Sequence, residues 1–114
     1  MKAIVIENTW IPREIMGIKF DMGWGNGYVI LGNDHPLYGK SYDEINIPIH
    51  GGLTYAGPVG PKHLELCDEL FESDLGKWMI GFDTAHCDDS LENCPEEYVR
   101  AEAQRLLDLV AEYR

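Results

Sequence analysis

The chain has 114 residues, of which 45% are hydrophobic and 25% charged, so it can bury one core and is not disordered as a whole. Twenty acidic side chains against nine basic ones give a net charge of −11. Such a charge disfavours binding to nucleic acid or to an anionic membrane surface, because both are polyanions. We expect one soluble domain over residues 1–114 that binds neither nucleic acid nor a membrane.

The N-terminus and the cysteines indicate the compartment. Residues 1–10 contain only a four-residue apolar run, which is too short for the core of a signal peptide or for a membrane span. Three cysteines are present (Cys67, Cys87 and Cys94), an odd number without a Cys-x-x-Cys pair. These features predict a cytoplasmic chain whose thiols are free.

The first third of the chain predicts strands. The β-branched run at 2–6 predicts a first strand. Residues 15–24 and 28–32 predict the two arms of a hairpin, because Asn26-Gly27 between them tolerates the positive φ angles of a tight turn.

The middle of the chain continues this pattern. Residues 45–57 alternate apolar and polar side chains at first and predict a strand that bends at Gly51-Gly52. Pro48 would place the first part of this strand at a sheet edge. Residues 77–82 predict another strand.

Two segments have helical spacing of their apolar residues. The first is 61–75, with Pro61 suited to the first helical position and Gly76 to the end. The second is 95–113, whose apolar face predicts core contacts and no chemistry. That face comprises Val99, Ala103, Leu106 and Val110. The predicted fold is α+β: a mainly antiparallel sheet with an inserted helix (about 61–75) and a C-terminal helix (about 95–113) packed on it.

The segment GFDTAHCDD at 81–89 concentrates coordinating side chains just after an apolar run. Asp83, His86 and Asp89 are spaced three apart and can converge if the chain turns after the strand. Carboxylate with neutral imidazole suits zinc, manganese or iron, so these three residues predict a site for a divalent metal. The alternative is a polar turn in which Asp83 caps the backbone and His86 bonds a carbonyl group.

The segment HGGLTY at 50–55 is the second candidate. Gly51 and Gly52 let the backbone approach a ligand next to His50, and Thr54 and Tyr55 can add polar contacts. The alternative is a glycine bulge at a strand end. No G-x-S-x-G, P-loop or G-x-G-x-x-G pattern occurs in the sequence.

Trp24 and Tyr28 in the segment WGNGYV offer planar, amphipathic rings that could stack on a ligand. The alternative interpretation places these rings in the core.

Four segments in this order resemble a family of small uncharacterised phage and bacterial proteins. The segments are WGNGYV, HPLYGKSYDE, IHGGLTYAG and WMIGFDTAHCDD, and the resemblance covers about 24–89. HGGLTY and GFDxAHxxD are its specific elements. The resemblance implies a phage or prophage setting and no particular activity.

The two strongest motifs together predict one pocket, with His50, Asp83 and His86 as catalytic residues at neighbouring strand ends. In a metal-dependent hydrolase these residues would hold a metal that activates water. In a binding module they would only orient a small polar ligand, such as a host nucleotide signal, with Trp24 or Tyr28 stacking on it. A third possibility is a module whose acidic surface meets a basic host protein.

Overall fold

The computed structural model describes residues 1–9, 14–19, 22–86 and 89–113. Its centre is a four-stranded sheet in the order β1-β4-β6-β5, in which every neighbouring pair is antiparallel. The strands are β1 (Lys2–Glu7), β4 (Gly25–Ile30), β5 (Tyr55–Pro58) and β6 (Trp78–Phe82), and a separate small hairpin pairs β2 (Glu14–Ile15) with β3 (Ile18–Lys19). The predicted α+β class with an antiparallel sheet is confirmed.

Helices cover the two faces of the sheet. On one face lies α2 (Glu96–Ala111), whose predicted apolar residues are all at most 2% exposed. On the other face lies the short helix α1 (Pro61–Leu66), beside a second apolar cluster. Side chains in a strand alternate between faces. Val29 therefore packs toward α2, whereas Tyr28 and Ile30 belong to the cluster beside α1.

The predicted hairpin at Asn26-Gly27 is wrong. Both residues lie inside β4, which pairs with β1 on one side and with β6 on the other. Gly27 is needed for space: a Cβ atom there would lie 2.5 Å from the Phe82 ring and 3.0 Å from Ala103 of α2. Turn propensity is thus overridden by burial of the central strand.

Two other elements are shorter than their sequence patterns predict. In the segment 45–57 only Tyr55–Pro58 is a strand; Ile45, Ile47 and Ile49 are buried but belong to no sheet ladder. In the segment 61–75 the α-helix ends at Leu66, and a 3-10 turn at Glu72–Asp74 follows. In 45–49 the apolar spacing marks buried residues, whereas in 61–75 Cys67 and Leu70 are buried but Phe71 is 61% exposed. In neither segment does the spacing fix the backbone conformation. Among the helices of the described ranges, none has the length and apolar character that a membrane span requires.

Replacing Leu106 with alanine should lower the free energy of unfolding by about 2–5 kcal/mol, because the side chain is fully buried between α2 and the sheet and its loss leaves a cavity. Chemical denaturation of the purified variant measures this loss. The control is Gln104→Ala on the exposed side of the same helix, for which we expect a change within about 0.5 kcal/mol.

Replacing Gly27 with alanine should destabilise the protein by about 1–3 kcal/mol, because the added methyl group overlaps Phe82 in a closely packed core. The matched control is Gly60→Ala, where the nearest atom would lie at 3.7 Å, an ordinary contact. A Gly27→Ala protein as stable as wild type would contradict the placement of Gly27 against α2.

Candidate functional site

Three segments meet beside one end of the sheet and bring polar side chains together. They are the turn around His50, the chain that follows β6, and the first half of α2. Each segment is fixed by its own backbone contacts, so the side chains are held in place before any ligand arrives.

The first segment is a tight turn. The N–H of Gly52 donates to the carbonyl oxygen of Ile49 at 2.8 Å, which places His50 and Gly51 at the centre of the turn. Gly51 has φ 64°, a left-handed conformation that glycine adopts without strain. The turn presents the His50 ring toward the other two segments.

The second segment leaves β6 and is fixed to the start of β4. The Thr84 hydroxyl donates to the carbonyl oxygen of Gly25 at 2.7 Å, and the N–H of Gly23 donates to the carbonyl oxygen of Thr84 at 2.6 Å. Thr84 is fully buried. Residues 83–86 and 89 therefore lie at the end of the sheet where β6 finishes and β4 begins. Cys94 follows them in the chain, and its carbonyl oxygen accepts a hydrogen bond from the N–H of Trp24 at 2.8 Å.

The carboxylate of Asp89 is the centre of the site. Its Oδ1 lies 2.8 Å from His50 Nε2 and 3.5 Å from Cys94 Sγ. Its Oδ2 lies 2.9 Å from the backbone nitrogen of His86 and 2.9 Å from Nδ1 of the same residue. Four donors thus occupy the four lone-pair positions that a carboxylate offers.

This arrangement fixes the imidazole tautomers. Asp89 accepts, so His50 donates through Nε2–H and His86 donates through Nδ1–H. In neutral His50 the other nitrogen, Nδ1, accepts the hydroxyl of Tyr98 at 2.7 Å. In neutral His86 the remaining nitrogen, Nε2, carries a lone pair, and no described residue donates a hydrogen bond to it. The Tyr98–His50–Asp89–His86 chain is therefore satisfied along its length except at this outer nitrogen.

Burial and hydrogen bonding act on the Asp89 carboxyl in opposite directions. Burial alone would raise its pKa, but the hydrogen bonds from the His86 backbone and ring, together with His50, outweigh it and lower the pKa. The same carboxylate and burial raise the pKa of the Cys94 thiol, burial being the larger cause. At neutral pH Asp89 is therefore ionised and Cys94 keeps its proton.

Helix α2 supplies the support beneath His50. Glu102 Oε2 accepts the backbone N–H of His50 at 3.0 Å, and the same carboxylate accepts two hydrogen bonds from Arg105 at 2.7 and 3.0 Å. The Arg105 contact, followed by the His50 N–H, lowers the pKa of Glu102 against the effect of burial. The sequence predicts only core contacts for this helix; the structure adds the hydrogen bonds that Tyr98 and Glu102 make with His50.

His86 and Asp83 form the outer side of the site. Their side chains are 37% and 36% exposed, and His86 Nδ1 lies 3.6 Å from Asp83 Oδ1. The His86 ring rests on Gly51, where a Cβ atom would come within 2.3 Å of its Cε1. The His50 and His86 ring centroids are 5.6 Å apart. The structure thus brings His50, Asp83 and His86 to one place, as the sequence predicts.

Three ligand-type atoms cluster in this site. His50, Asp89 and Cys94 each offer one donor atom, and these atoms all lie within 4.8 Å of one another. The metal site predicted from sequence was Asp83, His86 and Asp89, so the two sets share only Asp89. In the structure His86 and Asp83 surround the set from the outside.

The other predicted ligand residues are divided between the faces of the sheet. Gly52 and Thr54 make backbone hydrogen bonds. The N–H of Gly52 closes the turn at His50, and the N–H of Thr54 donates to the carbonyl oxygen of Gly81. Trp24 is half-buried against the core on the α2 side. Tyr28 and Tyr55 pack edge to face at 5.8 Å on the opposite face of the sheet. Neither Tyr28 nor Tyr55 therefore lies beside the His50–Asp89 cluster.

Sequence reasoning missed Tyr98 and Glu102 and gave little weight to Cys94. Glu102 had a detectable signal, because it falls on the apolar face of α2, three residues after Val99 and next to Ala103. A charged residue at such a position needs a buried partner. Cys67 and Cys94 are free thiols, as predicted. The prediction for Cys87 concerns a residue outside the described ranges.

The chain has no match among protein-family models, curated proteins or solved structures.

Replacing Asp89 with asparagine should destabilise the protein, because an amide nitrogen replaces one acceptor oxygen and leaves two donors without a partner. Each such loss costs roughly 1–3 kcal/mol in a buried setting. Chemical denaturation measures the effect. Asp83→Asn is the control: its carboxylate is one-third exposed, its Oδ1 contact to the N–H of Ala85 survives in the amide, and we expect a change within about 0.5 kcal/mol. Equal stability of the two variants would contradict the central role of Asp89.

Proposed function

We propose that the protein is a metal-dependent hydrolase whose divalent ion, of the zinc class, is held by His50, Asp89 and Cys94. The observation that carries the proposal is the close approach of one imidazole nitrogen, one carboxylate oxygen and one sulfur atom, the first from the turn at His50 and the other two from the chain between β6 and α2. Nitrogen, oxygen and sulfur donors of this kind together suit zinc better than magnesium or calcium, which prefer oxygen alone.

The hydrogen bonds of the metal-free site support this set of ligands. The protons on His50 Nε2 and Cys94 Sγ are both directed at Asp89 Oδ1. A divalent ion between the three atoms would replace those two protons: the thiol releases one, and His50 changes to the tautomer protonated on Nδ1. Counted with a neutral His50 imidazole, the three ligands carry a charge of −1 without the ion and form a neutral group with it, which removes the cost of the buried negative charge.

Outer contacts for such an ion are already in place. The Nδ1–H of metal-bound His50 would donate to the Tyr98 hydroxyl, and the free oxygen of Asp89 would keep its two hydrogen bonds from His86. Partners of this kind orient ligands and are typical of metal sites in proteins. Because one ligand is a thiolate, the proposal includes a reducing compartment, as expected for a cytoplasmic phage-type protein.

Three protein ligands leave a fourth position for water, which is the arrangement of catalytic zinc. The open side faces His86 and Asp83, the exposed part of the cluster. His86, oriented by Asp89 through Nδ1–H, would take a proton from the attacking water through Nε2, as an imidazole oriented by a carboxylate does in other hydrolases. Asp83 would contact the substrate or the leaving group at the mouth of the site.

A binding module is the second candidate. It is favoured by the complete set of four hydrogen bonds on Asp89, which needs no metal to satisfy it. In that case His86 and Asp83 would contact a small polar ligand, and no turnover would follow.

Metal binding is tested by loading the chelator-treated protein with Co²⁺ or Zn²⁺ and measuring metal content and absorption. We expect one ion per chain and a thiolate-to-cobalt charge-transfer band. Cys94→Ser should abolish the band and weaken binding by at least about 100-fold, since loss of an outer contact alone costs 10–100-fold. Cys67→Ser is the matched control, because Cys67 is equally buried but lies in the cluster beside α1.

The role of the outer contacts is tested with Tyr98→Phe, which should weaken Co²⁺ binding about 10–100-fold while leaving the charge-transfer band intact. If chelator-treated protein takes up no ion, or if Cys67→Ser lowers the uptake as much as Cys94→Ser, the metal site is contradicted.

Hydrolysis is tested separately with the zinc-loaded protein on activated ester and phosphodiester substrates. Turnover that requires zinc and falls at least about 100-fold in His86→Gln, with metal content unchanged, would support His86 as the base. Bound metal without turnover on any of these substrates would favour the binding module.

A further inference from the structure

A cavity lies on the opposite face of the sheet from the His50–Asp89 cluster. It has a volume of about 440 Å³ and is lined by Ile6, Thr9, Tyr28, Lys62, His63 and Leu66. This volume is within the range of small-molecule sites, about 300–1,000 Å³. Its lining is mainly apolar with a few polar groups, which is the usual composition of such sites.

Aromatic rings form one wall of this cavity. Tyr28, Tyr55 and His63 are in mutual contact, with centroid distances of 5.8 Å between the tyrosines and 6.4 and 5.7 Å from these to His63. Gly81 beneath them has no side chain to fill the space, and a Cβ atom there would come within 2.3 Å of the Tyr28 ring. Of the three rings, Tyr28 and His63 line the cavity itself. Their planes are inclined by 57°, so a planar ligand ring can stack on one of them and meet the other edge to face, and both geometries are favourable for aromatic groups.

The imidazole of His63 presents a hydrogen-bond donor to the cavity. His63 Nδ1 accepts the N–H of Gly60 at 2.9 Å, so in neutral His63 the proton is on Nε2. Burial lowers the pKa of His63, which favours this neutral form. No acceptor for that Nε2–H occurs among the residues that the structure describes. The backbone N–H of Gly60 therefore sets the tautomer of neutral His63, and the Nε2–H group of His63 can donate to a ligand.

The amide of Asn26 gives a second unsatisfied group on this face. Its Nδ2 donates to the Tyr28 hydroxyl at 3.1 Å, whereas its Oδ1 is buried with no hydrogen-bond partner in the described residues. Asn26 is opposite Ile6 in the β1–β4 ladder and two residues before Tyr28, and both neighbours line the cavity. Asn26 therefore lies behind the cavity wall and is connected to it through the Tyr28 hydroxyl.

Lys62 gives the cavity its charge. Its side chain is at the rim, and no ion pair to it is formed within the described part of the chain, although the chain as a whole has a net charge of −11. A cation at the edge of an aromatic cavity would pair with an anionic group of the occupant.

We propose that this cavity binds a small molecule with a planar ring and an anionic group, with the ring against Tyr28 and His63 and the anion at Lys62. Two sources share that chemistry: a nucleoside monophosphate and an aromatic carboxylic acid. This proposal does not depend on the metal site, because the two sites share no residue.

Nuclear magnetic resonance titrations of the chelator-treated protein test the proposal. The probes are adenosine 5′-monophosphate, benzoate, adenosine, ribose 5-phosphate and inorganic phosphate. We expect at least one of the first two to shift signals of His63, Leu66 and Tyr28. Ribose 5-phosphate and phosphate lack the ring and should not bind there. The relative affinities of the first two probes distinguish a nucleotide from an aromatic acid.

Two variants separate the ring contact from the anion contact. Leu66→Trp should block binding by filling the cavity from its exposed side. Lys62→Gln should weaken the anionic probe about three- to tenfold and leave adenosine unchanged, with Lys40→Gln as a control lysine outside the cavity.

The titration of the unmodified protein does not rely on either variant folding. Failure of both ring-bearing anions to bind in the millimolar range would overturn the proposal. So would shifts confined to His50 and His86, or equal binding of inorganic phosphate. None of these results would alter the metal content on which the proposed hydrolase depends.

Discussion

The site depends on one buried carboxylate that accepts four hydrogen bonds. Asp89 lies in the chain after β6 and accepts hydrogen bonds from the turn at His50, from His86 just after β6 and from Cys94 just before α2. A buried carboxylate is stable only when it is fully bonded, so each segment is held by the need to satisfy the same charge. The two histidines are consequently pre-organised, and their tautomers follow from their shared acceptor.

The sheet contributes through packing and not through coordinating side chains. Its central strands bring Phe82 beneath His50, with ring centroids 6.3 Å apart, and Gly27 leaves room for Phe82 and for Ala103 of α2. The helix can therefore approach the sheet closely enough for Glu102 to reach the backbone of His50. The close contact between α2 and β4 therefore both packs the core and places Glu102 where it can bond to His50.

The sequence predicted β1 and β6, whose apolar runs are buried on both faces of the sheet, and α2, whose apolar residues are buried on one face of the helix. It also predicted that His50, Asp83 and His86 would meet at neighbouring strand ends. The three residues do come together, but only Asp83 directly follows a strand, whereas His50 lies in a turn after a buried segment that belongs to no sheet ladder. The sequence did not predict that Asn26-Gly27 would form part of a strand, since local turn propensity says nothing about which side chains later need space. It missed Tyr98 and Glu102 because their partner, His50, is about 50 residues away in the chain, and spacing rules detect only local neighbours.

Gly51 is constrained twice over. Its φ of 64° excludes most side chains on conformational grounds, and the His86 ring lies where any Cβ atom would be. Asparagine, the usual substitute where a left-handed conformation is required, satisfies the first condition and fails the second. No single substitution at position 51 is therefore expected to be neutral while position 86 is a histidine. The two positions are therefore expected to vary together across descendants of this chain, or not to vary.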